Sequence, residues 1–78
     1  MMQEHVFTDR HGTKRWYANE FYHRLDGPAV ESLNGYREWW VNGKKLSNPL
    51  DLLKHGANWK DLAEYLTPRE IAKCRTQQ

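Results

Sequence analysis

Seventy-eight residues with a net charge of +2 make one small domain, too short for a multidomain enzyme. Leu, Ile, Val and Phe fill only 14 positions, about 18%, a fraction otherwise typical of disordered chains. Ten aromatic residues offset this, since each ring buries roughly 150–250 Å², so the composition predicts a folded domain with a thin, aromatic-weighted core and excludes a collagenous or low-complexity chain.

The elements follow from an internal repeat. Offset by 23 positions, Gly12-Thr13-Lys14-Arg15-Trp16-Tyr17-Ala18-Asn19 falls on Gly35-Tyr36-Arg37-Glu38-Trp39-Trp40-Val41-Asn42, giving the shared pattern G-x-[KR]-x-W-[YW]-[AV]-N. Asn34-Gly35 and Asn42-Gly43 are pairs that accept the positive φ angles of a tight hairpin turn. His11-Gly12 and Asn19-Glu20 are their weaker counterparts. Aromatic and β-branched residues between these turns predict strands near 5–9, 13–18, 20–23, 29–33, 36–41 and 44–46. Arg24-Leu25-Asp26-Gly27-Pro28 separates the two copies.

After Leu46 the periodicity becomes helical. Asn48 caps a helix with Pro49 at its first position, and Gly56 ends it. Asn58 caps 59–66, where Trp59, Leu62, Ala63 and Leu66 follow i, i+3, i+4, i+7. Thr67-Pro68-Arg69-Glu70 is a capping box that launches a third helix. Helices this short need a surface to lie on. The expected fold is α+β, one domain over 1–78: an antiparallel β-meander of five or six strands from two tandem hairpin repeats (5–46), capped on one face by two or three short C-terminal helices (47–78).

The blocks His23-Arg24-Leu25-Asp26-Gly27-Pro28-Ala29, Asn34-Gly35, Trp39 and Asn42-Gly43-Lys44 resemble the MORN-like repeat, in the variety frequent in small bacteriophage proteins. The resemblance covers residues 5–47 and departs at Leu46-Ser47-Asn48-Pro49, where a third unit would begin. It implies stacked hairpins used as an interaction scaffold, without catalytic residues, and a structural role for Trp16 and Trp39.

Side chains alternate between faces along a strand, so Trp16 and Trp39 share one face and Tyr17 and Trp40 the other. One reading buries both sets within the fold. The other leaves Arg15, Tyr17, Tyr36 and Trp40 as a partner-binding face. His5, His11, His23 and His55 lack metal-ligand spacing, and the lone Cys74 has no evident base. No catalytic, metal or cofactor site is expected, and His23 is expected to bond around the Asp26-Gly27 turn.

Residues 1–46 hold seven basic and six acidic side chains and residues 47–78 five and four, with no basic run. Nucleic acid is therefore a less expected target than protein. No apolar run is long enough to span a membrane, and Met1–His5 does not read as a secretion signal. With one cysteine, cytoplasmic residence is expected, in the host cell if the chain is phage-encoded. The expected function is that of a non-enzymatic phage-type accessory protein. It would bind a host or phage protein, with inhibition of a bacterial host defence or regulatory protein as one form and homodimerisation as a further contact. The alternative is a nucleic-acid-binding module using an aromatic and basic sheet face.

Overall fold

Asn19, Glu20, Asn42 and Gly43 have φ angles of 51°, 74°, 51° and 81°, and these two left-handed turns set the register of the sheet. In the computed structural model, which describes residues 4–76, the strands are β1 (Glu4–Thr8), β2 (Lys14–Ala18), β3 (Phe21–Tyr22), β4 (Val30–Glu31), β5 (Arg37–Val41) and β6 (Lys44–Leu46). Met1–Gln3, part of the segment in which the sequence predicts no secretion signal, lie outside the described residues. All pairings are antiparallel, in the order β1-β2-β4-β5-β6, with β3 also paired to β2. The expected α+β meander is the observed architecture.

β3 and β4 act as one interrupted central strand. The Trp16 carbonyl accepts the His23 N–H at 3.0 Å, and the Trp16 N–H donates to the Ala29 carbonyl at 2.8 Å. His23 and Ala29 thus share one partner residue, and Arg24–Pro28 loop out between them. On the other side, Arg24 donates to the Trp40 carbonyl and Ala29 to that of Glu38. The ladder closes behind the excursion, so five continuous ribbons cross the sheet.

The three helices cover only the second repeat. Two are 3-10 helices, Pro49–His55 and Trp59–Tyr65, followed by α1 (Pro68–Thr76). Asn48 and Asn58 cap the first two as expected, accepting from the Leu50 and Lys60 N–H groups at 3.0 Å each. The capping box is also formed: Thr67 N–H donates to Glu70 Oε1 and Glu70 N–H to Thr67 Oγ1. The 3-10 geometry corrects the expected α-helical stripe. At three residues per turn, Trp59, Leu62 and Tyr65 stack in one row, so Tyr65 takes the place given to Ala63. Leu66 remains buried at the helix end.

Val41, Leu52, Leu62, Leu66 and Cys74 form the core, with Trp39, Leu46, Trp59, Tyr65 and Ile71 packed around them. Trp39 meets Tyr65 edge-on at 5.3 Å. Trp16 lies on the same sheet face but outside this cluster. Its ring is covered by the Arg24 guanidinium, 3.9 Å from the ring centroid. The two repeat tryptophans occupy matching strand positions beneath different lids.

Candidate partner-binding face

The register brings Arg15, Tyr17, Tyr36 and Trp40 onto one face, opposite the helices. Arg15 stands opposite Val30, and Val30 opposite Glu38. Tyr17 follows Arg15 by two positions, while Tyr36 and Trp40 flank Glu38 by two, so strand alternation places all of them together. Tyr36 is 52% exposed, whereas Tyr17 and Trp40 are half-buried.

Their neighbours explain that partial burial. His5 stacks on Tyr17 with centroids 5.4 Å apart. Tyr17 meets Tyr22 at 5.1 Å, and Tyr22 meets Trp40 at 5.2 Å, edge to face. A row of four rings therefore crosses β1, β2, β3 and β5, each covering the next. Burial and the Tyr22 hydroxyl push the Tyr17 phenol above its ordinary pKa, against a smaller opposing pull from Arg15. Phe7 stands opposite Arg15 on the same face and is 49% exposed.

Charges on this face are paired. Arg15 Nη1 lies 2.8 Å from Asp9 Oδ2, and this bond holds the Asp9 carboxyl at about 2. Asp9 also accepts the N–H groups of His11 and Thr13, tying the β1–β2 turn to the face. Glu38 gathers three neighbours: the Tyr36 hydroxyl, Trp40 Nε1 at 2.9 Å and Lys45 Nζ at 3.6 Å. The Tyr36 and Trp40 donors, then Lys45, hold Glu38 below the usual carboxylate range.

His5, Phe7, Tyr22, Glu38 and Lys45 belong to this face although sequence reasoning singled out none of them for it. The signal was turn arithmetic. A hairpin centred on Asn19-Glu20 sets Tyr22 against Tyr17, and one turning at His11-Gly12 sets His5 against Tyr17. His23 is placed differently from expectation. Its imidazole is buried, and Nδ1 accepts the Asn42 N–H at 3.0 Å instead of bonding within the Asp26-Gly27 turn. Arg24 Nε takes Asp26 Oδ1 at 2.8 Å.

Chain comparisons come back empty. No family model, curated protein or solved structure matches this sequence. Among the described residues, no helix is long and apolar enough to cross a membrane, and no group of three or more His, Cys, Asp or Glu could hold a metal ion. An open depression of about 250 Å³ lies at the edge of the opposite face. There Lys14, Glu31 and Arg37 form a cross-strand row, with Arg37 Nε 3.3 Å from Glu31 Oε2.

Proposed function

We propose that the chain is a non-enzymatic interaction domain whose aromatic face, with Arg15, Tyr17, Tyr36 and Trp40, binds a protein partner. The observation that carries this reading is the ring row itself: His5, Tyr17, Tyr22 and Trp40 pack on one another across four strands and stay partly exposed, beside the exposed Tyr36 and Phe7. Partly exposed amphipathic rings suit a protein surface, where Tyr, Trp and Arg contribute most of the binding energy. Stacking on single-stranded nucleic acid needs free ring faces and unpaired cations. Here Tyr17 carries His5 stacked on its ring and a tilted Tyr22 beside it, and Arg15 and Lys45 are each paired with a carboxylate. Protein is therefore favoured over nucleic acid.

The likeness of the His23–Ala29 and Asn34–Lys44 blocks to MORN-like repeats of small phage proteins extends the proposal to an accessory protein acting in the host cytoplasm. Inhibition of a bacterial defence or regulatory factor is the form that fits so small a non-catalytic chain. The test is a pull-down from bacterial lysate, with and without nuclease, using the parent and Tyr36→Ala. Tyr36 is exposed, so its loss should spare the fold. A nuclease-resistant protein captured by the parent and lost with Tyr36→Ala supports the reading. Retention that nuclease abolishes, or a captured protein indifferent to Tyr36→Ala, Trp40→Ala and Arg15→Ala alike, overturns it.

A further inference from the structure

The two open edges of the sheet are built differently. β6 presents Lys44 and Lys45, both exposed, and charged residues of this kind discourage edge pairing. β1 presents Glu4-His5-Val6-Phe7-Thr8, exposed along its whole length, with Val6 at 52% and Phe7 at 49%. Its outward backbone groups can be assigned. Trp16 directs both its N–H and its carbonyl toward His23 and Ala29, so its neighbours Arg15 and Tyr17 direct theirs toward β1. Their partners Phe7 and His5 are thereby occupied. Glu4, Val6 and Thr8 turn their N–H and carbonyl groups to the open edge.

We propose that β1 pairs antiparallel with β1 of a second copy of this chain, on a two-fold axis at Val6. This goes beyond the partner-binding reading, because it uses the edge and not the aromatic face. Centring on Val6 matches all five residues of the strand and sets Val6 against Val6 and Glu4 against Thr8 of the second copy. These are the residues whose backbone groups face outward, so each pair can exchange both of its hydrogen bonds. The register avoids opposing like charges. It also brings Glu4 toward Lys14, the residue beside Thr8 on the next strand of the second copy.

The second argument is continuity of the ring row. His5 ends that row at the open edge, stacked on Tyr17. In the Val6-centred register His5 stands directly opposite Phe7 of the second copy, a non-hydrogen-bonded position where side chains approach closely. The half-exposed Phe7 then extends the row, and two rows meet side by side. On the other face, paired Val6 side chains lie between the two Trp16-bearing strands.

The test is sedimentation equilibrium of the whole chain from low micromolar to low millimolar, with hydrogen exchange of the β1 amides. The parent should convert to dimer with rising concentration, and the Val6 N–H should become more protected as it does. Val6→Pro removes an outward N–H and fixes φ, a change confined to an edge strand and breaking no bond to β2. Val6→Lys sets two ammonium groups face to face. Both variants should melt like the parent and remain monomeric, while Tyr36→Ala should dimerise normally. A parent that stays monomeric, Val6 exchange indifferent to concentration, or a dimer lost with Tyr36→Ala and kept with Val6→Lys would each overturn the proposal.

Discussion

The Nδ1 atom of His23 accepts the backbone N–H of Asn42 at 3.0 Å, so a buried imidazole from the first hairpin unit fastens the final turn of the second. In this arrangement the proton sits on Nε2. Replacing His23 with Ala removes an acceptor and a packed ring together. Loss of about 2 kcal/mol is expected when this part-buried bond is removed and the buried ring is lost with it. At about 4–8 °C per kcal/mol for a domain of this size, thermal melting should fall by roughly 8–16 °C. An unchanged melting temperature would mean that the turn holds itself.

The two repeat tryptophans should respond unequally. Trp39 packs against the helical core and Tyr65, so Trp39→Ala should cost about 3–5 kcal/mol. Trp16 has Arg24 as its lid and lies outside that core. Its replacement should cost less, about 1–3 kcal/mol. Denaturant melts of the two variants side by side decide the matter, and equal losses would refute the asymmetry.

Glu20 holds a left-handed φ of 74° at the turn position where Asn42-Gly43 uses glycine. A side chain in that region costs about 1–2 kcal/mol, and glycine avoids most of it. Glu20→Gly should therefore raise the melting temperature, whereas Gly43→Ala should lower it. Gly43 combines φ 81° with Phe21 Cδ1 lying 2.8 Å from where a Cβ would stand.

Acid should weaken the protein through Asp9. Its carboxyl is held at about 2, against an ordinary 3.8, first by the Arg15 hydrogen bond. A depressed carboxylate contributes stability fully above its unfolded value and loses it as pH falls through the folded one. Melting temperature should drop between pH 4 and about 2, and Asp9→Asn should flatten that drop. Carbon-detected titration of the Asp9 carboxyl checks the assignment directly.

Removal of residues 47–78 should expose Trp39, Val41 and Leu46 together, because all three contact the helices. A 1–46 fragment is expected to lack a cooperative melt and to aggregate. Dispersed amide resonances from such a fragment would show that the sheet stands alone.

Much of this fold is local chemistry, and that part was legible in the sequence. The Asn42-Gly43 turn, the Asn48 and Asn58 caps and the Thr67–Glu70 box each involve residues within a few positions of one another, whereas Asn34-Gly35, expected to turn the same way, has a positive φ only at Gly35. Strand alternation likewise put Arg15, Tyr17, Tyr36 and Trp40 on one face. What escaped is long-range or geometric. The His23–Asn42 bond spans 19 positions, and Arg24 covers Trp16 only because Arg24–Pro28 loop out of the ladder. The choice of 3-10 over α geometry is also invisible to spacing, since i and i+3 serve both periods. Packing settles it by seating Tyr65 against Trp39.

The unequal lids have a consequence for how the chain acquires structure during synthesis. Trp16 is covered by Arg24, only eight positions later, so the first half of the sheet can shield its ring as soon as the next few residues emerge. Trp39 and Val41 must wait for Leu62, Tyr65, Leu66 and Cys74. Until those residues leave the ribosome, the second hairpin presents an uncovered apolar surface to whatever is nearby, the usual condition for chaperone capture or misassembly. Premature termination anywhere between Val41 and Leu62 should therefore be more damaging to solubility than termination just before Arg37, which leaves out the strand that needs the cover.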